Sequence, residues 1–357
     1  MPILERLPEL WMKRTIALVS ILTLVLIAWV FPTASARDAS SLSPETSPGS
    51  SEDQVEYIIM FVLEGVGEES VGARTMPVFD RLVQNGSVTW SATAVEPPLR
   101  LPTMASLVTG LPVKKHGITW NNFDFIRGYP RAPSLFDYLD LSGGKDSAVF
   151  FMDESLYQLA RPEPYIDYQV CGPLRPECST QMLVRYIRDY FRKATSGEGH
   201  NHYVLALPHL LVVHLPEPGR AGLADGWESP SYRDALRSVD QAMGSILDMY
   251  QEYGLLEQTA IIVTGLSGKG TATSSESSNV NGEDLPQVLW VASGPGIKEG
   301  YVIKTPMSIM DTGATVLRTF RLETYTEWDS RAVEEIFKAP RLAGARAAQT
   351  QANGHER

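Results

Sequence analysis

The chain has 357 residues, 43% of them hydrophobic, which is enough for one large α/β domain or two ordinary ones. Its formal net charge of −11 sets up a field that repels nucleic acid and anionic lipid, and no basic tract exceeds short pairs such as Lys114-Lys115. A nucleic-acid partner is therefore not expected.

In chain order, Lys13-Arg14 precede an apolar run from Thr15 to Phe31, and Ala34-Ser35-Ala36 forms a small-x-small cleavage pattern. Residues 1–36 read as a secretory signal peptide, with an uncleaved membrane anchor as the alternative. Both place the bulk of the chain outside the cytoplasm, periplasmic or secreted, or held at the membrane by that segment. Residues 37–54 are rich in Ser, Pro, Glu and Gly and read as a flexible linker. Residues 55–338 carry the folded domain, and 339–357, rich in Ala, Gln and Arg, read as a disordered tail.

Within the domain, Tyr57 to Leu63 (YIIMFVL) is a buried strand candidate, nearly all apolar as parallel strands are. Met76 to Gln84 reads as a helix. Ser147 to Phe151, Leu210 to Leu215, Ala260 to Thr264 and Val288 to Ala292 are further buried strands. Ser229 to Tyr253 is a long helix with a Ser-Pro start, and Asp311 to Phe320 is another. This alternation predicts an α/β fold, a largely parallel central sheet sandwiched by helices, with ligands gathering at the carboxyl ends of the strands. Two cysteines, Cys171 and Cys178 in CGPLRPEC, read as a disulfide in an oxidising compartment, with two unrelated thiols as the alternative.

Four segments carry a family resemblance: Leu63-Glu64-Gly65; LPTMASLVTGLPVKKHGITWN, Leu101 to Asn121; VVHLPEPGRAGLADGW, Val212 to Trp227; and IIVTGLSGKG, Ile261 to Gly270, followed by VLWVASGPGIKEGY, Val288 to Tyr301. Together, in this order, they resemble the type I phosphodiesterase/nucleotide pyrophosphatase branch of the alkaline phosphatase superfamily. The resemblance implies an alkaline phosphatase-like core. In such enzymes two zinc ions or similar metals sit at the strand ends, and a Thr or Ser at a helix start attacks phosphorus.

Carried over residue by residue, the resemblance finds the machinery replaced. The first metal-ligand position, the Asp of a strand-terminal Leu-Asp-Gly, is Glu64. The nucleophile position, two residues before Pro102, is Arg100, a group that stays protonated at any useful pH. Asn121 fits the phosphate-contacting Asn. The Asp-x-x-x-His ligand pair falls on Gly219 and Leu223, and the following Asp-His pair on Leu266 and Ser267. No His lies between Leu215 and Gly354, the half of the chain from which the family draws its imidazole ligands. No metal cofactor is therefore expected.

Among the remaining groups, His116 in its Lys-His-Gly turn reads as structural and His214 as a hydrogen-bonded core residue. His200 and His202 in GHNH read as exposed loop residues, with weak metal binding as the alternative. Glu217, Asp225, Glu283 and Asp284 are the carboxylates that could rescue a single-metal site. Arg100 opposes the helix dipole, so it either forks onto Glu64 or turns to solvent. Glu64, Arg100 and Asn121 would then line a pocket for an anionic ligand. The function read from this pattern is an exported, non-catalytic homologue acting as a binding or scaffold module, with a protein partner also open. The alternatives are an active phosphoric ester hydrolase with a rearranged metal site, using Thr103 or Ser106 as nucleophile, and a purely structural interaction protein.

Overall fold

The computed structural model describes residues 54–124, 126–160, 166–170, 179–196, 206–271 and 285–339, all within the unit Ser50–Arg357. The signal peptide, residues 37–53 of the linker, Cys171, Cys178, His200, His202, Glu283, Asp284, His355 and residues 340–357 lie outside the described residues. Among the described residues no helix is long and apolar enough to cross a membrane.

Eight strands among the described residues form one sheet. They are β1 (Tyr57–Glu64), β2 (Gly86–Thr93), β3 (Ser147–Phe151), β4 (Ile166–Val170), β5 (Leu210–Leu215), β6 (Thr259–Ser267), β7 (Gln287–Ser293) and β8 (Tyr301–Val302). Their spatial order is β4-β3-β5-β1-β6-β7-β2-β8. The sheet is mixed and mostly parallel: β1 pairs in parallel with both β5 and β6, while β7 runs antiparallel to β6 and β2. β1 is buried from Ile58 onward because helices cover both of its faces, as its unbroken apolar run requires.

The helices are α1 (Pro77–Gln84), α2 (Arg100–Thr109), α3 (Val113–His116), α4 (Leu135–Gly143), α5 (Thr180–Ser196), α6 (Glu217–Asp225), α7 (Pro230–Glu252) and α8 (Asp311–Thr319). One face of the sheet, with Ile58, Met60 and Val62, packs on α2, α4 and α8. The other, with Ile59, Phe61 and Leu63, packs on α1, α5 and α7. The alternation of β1 thus feeds two cores from one strand. Local chemistry fixes the helix ends. Ser229 caps α7 by accepting from Tyr232 N at 3.1 Å, with Pro230 in the first turn. Asp240 of α7 accepts from Val78 N and Phe79 N at 3.1 and 2.9 Å, supplying the cap that α1 lacks and tying the two helices together.

Two features position the site. A bulge between β1 and β6 after Leu63 brings Ser267, rather than Leu266, opposite Glu64. Immediately beyond β1, Gly65 takes φ +73°, and a Cβ there would lie 2.5 Å from Gly219 Cα. Glycine at 65 is thus what lets α6 close over the end of β1.

Candidate functional site

Glu64 ends β1 and is 2% exposed. The guanidinium of Arg100, in the first turn of α2, forks onto it: Nε donates to Oε1 at 2.6 Å and Nη2 to Oε2 at 3.0 Å. Of the two orientations open to Arg100, the fold adopts the fork, and the side chain is buried. Its third nitrogen, Nη1, meets Asp153 Oδ2 at 3.0 Å. His214, penultimate in β5, joins Glu64 Oε1 through Nε2 at 2.8 Å. Arg220 of α6 closes the group, donating from Nη2 to Asp153 Oδ2 at 3.1 Å and to the Met152 carbonyl at 2.6 Å. Asp153 and Arg220 were not singled out in the sequence. The available signals were a carboxylate two residues past a buried strand and a cation inside the degenerate ligand motif.

The group balances its own charge: two carboxylates face two guanidiniums. Burial alone would raise the Glu64 carboxyl, but Arg100 and then His214 overcome it and hold Glu64 well below the usual carboxylate range. Asp153 behaves likewise: burial pushes it up, and Arg100 and the Ser155 hydroxyl bring it down. An ionised carboxylate only accepts, so His214 Nε2 carries the proton directed at Glu64. His214 Nδ1 is buried with no hydrogen-bond partner among the described residues.

The start of α2 is also occupied by the protein itself. Leu99, its N-cap residue, offers no side-chain cap, and Asn121 Oδ1 accepts from Leu101 N at 3.0 Å instead. That amide is one of the free donors a phosphate would use at a helix N-terminus. Thr103 and Ser106 are fully buried inside the helix. Ser106 Oγ lies 2.9 Å from His116 Nε2, while His116 Nδ1 accepts from Ile118 N at 3.1 Å. The ring is therefore the Nε2–H tautomer, a donor to Ser106 rather than a base that could activate it.

The other family positions do not assemble a donor set. Gly219 packs against Glu64, where an added Cβ would stand 3.0 Å from the Glu64 Cβ. Leu223 is exposed and Leu266 is in the core. Ser267 Oγ accepts from Gly65 N at 3.0 Å. Glu217 accepts from the Thr180 hydroxyl, and Asp225 is exposed. Among the described residues no three His, Cys, Asp or Glu side chains gather as a metal requires. Glu64, with both oxygens bonded to Arg100, lacks among the described residues the companions a two-zinc site needs, so these residues do not fit the metals. Gly219→Asp, which restores one family ligand, sets a second buried carboxylate beside Glu64. It is expected to cost about 2–3 kcal/mol in a urea melt with no recovery on adding zinc. Recovery with zinc would show that a metal site can still be rebuilt here.

Two adjoining cavities lie outside this group, beneath the loop that follows α3. One, of about 360 Å³, is lined by His116, Gly117, Thr119, Trp120, Arg127, Tyr129 and Arg131. The other, of about 370 Å³, runs past Thr119, Trp120 and Arg127 to Leu99 and Asn121, beside the start of α2.

Comparison with known proteins agrees with this fold. The solved structure of murine ectonucleotide pyrophosphatase/phosphodiesterase 5 superposes with a TM-score of 0.59 at 15% identity, covering 79% of this chain and 100% of that one. A 2-O GAG sulfatase gives 0.59 at 13% identity over 79% and 74% of the two chains. A putative sulfatase from Bacteroides thetaiotaomicron gives 0.58 at 12% identity over 79% and 75%. At these identities the likeness is one of fold, that of the alkaline phosphatase superfamily. No curated protein sequence matches the chain. Residues 58–287, well over half the chain, match the family described as type I phosphodiesterase / nucleotide pyrophosphatase, and the chain belongs to that family.

Proposed function

We propose that this chain is an exported, non-catalytic member of its family that works as a binding or scaffold module. The observation that carries the reading is the fork of Arg100 onto Glu64: a fixed guanidinium stands at the nucleophile position and consumes the carboxylate at the first metal-ligand position. Hydrolysis by the family route needs a nucleophilic hydroxyl at the helix lip and hard or borderline ligands for two metals, and neither is supplied by Arg100, Gly219, Leu223, Leu266 or Ser267. Export is supported by the basic, apolar and small-residue succession before Ala36. A ligand anion at Glu64, Arg100 and Asn121 would have to displace Asp153 from Arg100 and Leu101 N from Asn121. Of these three residues Asn121 lines a cavity, the one that also reaches Leu99, while Glu64 and Arg100 are buried beside it.

The test incubates the full chain with zinc, removes the excess, and measures bound metal together with turnover of a chromogenic phosphodiester. The expected result is no retained zinc and no turnover. Near-stoichiometric zinc with turnover would overturn the proposal and make the chain an active phosphoric ester hydrolase with a rearranged site.

A further inference from the structure

We infer that the paired cavities lined by Gly117, Trp120, Arg127, Tyr129 and Arg131 and by Asn121 and Phe123 are a binding cleft for an acidic oligosaccharide. The two volumes share Thr119, Trp120 and Arg127, so they lie side by side along these residues. Its lining alternates flat aromatic side chains with small polar ones. Tyr129 is 37% exposed and Phe123 45%, while Thr119, Asn122 and the Tyr129 hydroxyl add hydrogen-bonding groups. Aromatic faces accept the apolar C–H faces of sugar rings, and hydroxyl and amide groups match sugar hydroxyls.

The charge in the cleft selects an acidic ligand. Arg127 packs over Trp120, 5.2 Å from the ring centroid, and pairs with Asp124 at 3.1 Å. The Asp124 carboxylate is further satisfied by the backbone N–H groups of Ile126 and Arg127 at 3.0 and 3.3 Å. Arg131 is exposed and has no carboxylate partner among the described residues. Among the described residues the cleft thus holds one guanidinium without a carboxylate partner, in a chain of net charge −11, and a uronate or sulfate group complements it. Gly117, at φ +80°, makes room for this arginine: a Cβ there would lie 2.8 Å from Arg131 Nε.

The cleft is also held in shape before any ligand arrives. Gln158, 1% exposed, accepts from Asp124 N and donates to the Asp124 carbonyl, both at 2.9 Å, and donates to the Gly128 carbonyl as well. Arg131 N donates to the His116 carbonyl at 3.0 Å. Pre-organised walls reduce the ordering cost of binding. None of the strands contributes a lining residue, so the cleft provides no edge on which a peptide could add a strand, and poly-glutamate in the test below separates an acidic peptide from a saccharide.

This inference names the ligand of the proposed binding module and rests on that reading for its biological use, but its geometry is independent of the ion-paired group. The test titrates the full chain, followed by tryptophan fluorescence and calorimetry, with oligogalacturonate, a sulfated heparin fragment, a neutral malto-oligosaccharide and poly-glutamate. At least one of the two acidic saccharides is expected to bind, more weakly as salt is raised, and the one that binds identifies the acid group. Arg131→Gln and Tyr129→Ala are each expected to weaken that binding about tenfold with unchanged thermal melts. Ile126→Ser, at the exposed rim, is expected to leave it unchanged. Failure of both acidic saccharides, insensitivity to Arg131→Gln and Tyr129→Ala, or equal affinity for poly-glutamate would overturn the inference. Zinc-dependent turnover of a phosphodiester would overturn the non-catalytic reading alone and leave the cleft standing.

Discussion

Arg100→Met is expected to lower the unfolding free energy by about 3–5 kcal/mol at neutral pH, the loss that follows when one partner of a buried ion pair is removed. The cost arises from what is left behind. Glu64 is 2% exposed, and removing the fork takes away its largest counter-charge while the bond to His214 stays. Asp153 loses its contact with Arg100 and keeps Arg220. The double variant Glu64→Met/Arg100→Met is expected to be more stable than the sum of its single variants by several kcal/mol, because removing both charges removes the desolvation penalty along with the attraction. The pH dependence has a definite sign. In the wild type Glu64 titrates below its unfolded value, so its contribution is present above about pH 4.3 and is lost as the solution becomes more acid. In Arg100→Met, burial is no longer opposed by the guanidinium, the carboxyl shifts upward, and protonation relieves the strain. The deficit of the variant should therefore shrink from neutral pH toward pH 4. Urea melts with an unchanged m-value check both the size and the trend. A deficit under about 1 kcal/mol, the range of exposed pairs, would mean that the pair is solvated.

The pairing was legible because an arginine in the first turn of a helix opposes the macrodipole and asks for a carboxylate, and Glu64 was the carboxylate the family resemblance placed beside it. β1, β3 and β5 were legible as unbroken apolar runs between polar boundaries. The direction of β7 was not: a strand buried on both faces reads the same whether parallel or antiparallel, so Val288 to Ala292 was readable as a buried strand without its direction. β2 (GSVTWSAT) was missed because its polar and small residues dilute the period. β8 has only two residues. α5 carried a signal that could have been used, since Leu183, Ile187 and Phe191 recur at i, i+4 and i+8 and are all buried. Asp153 and Arg220 were hidden for a different reason. Neither sits at a family ligand position, and their roles follow only from the tertiary approach of the β3 end to α6 and α2.

His116 provides the second large effect, and it is a pH switch in stability rather than in chemistry. The ring is fully buried, Nδ1 accepts from Ile118 N, and burial lowers its pKa to about 4. Protonating Nδ1 would break that bond and place a charge between α2 and α3 with no carboxylate in contact among the described residues. The unfolded chain takes up this proton near pH 6.5, and the folded chain does so only near 4. Between those values the unfolded state binds more protons, so stability rises with pH through the window and is lost as pH falls through it. The shift corresponds to an effect on the order of 3 kcal/mol between pH 7 and pH 4. His116→Asn keeps an acceptor for Ile118 N, gives up the bond to Ser106 and cannot titrate. The variant should be less stable than wild type at pH 7, and the gap should close by roughly that 3 kcal/mol as pH approaches 4. Stability profiles from pH 4.5 to 7.5 that run parallel for the two proteins would show that His116 titrates normally, and the donor role assigned to its Nε2 toward Ser106 would fail with it.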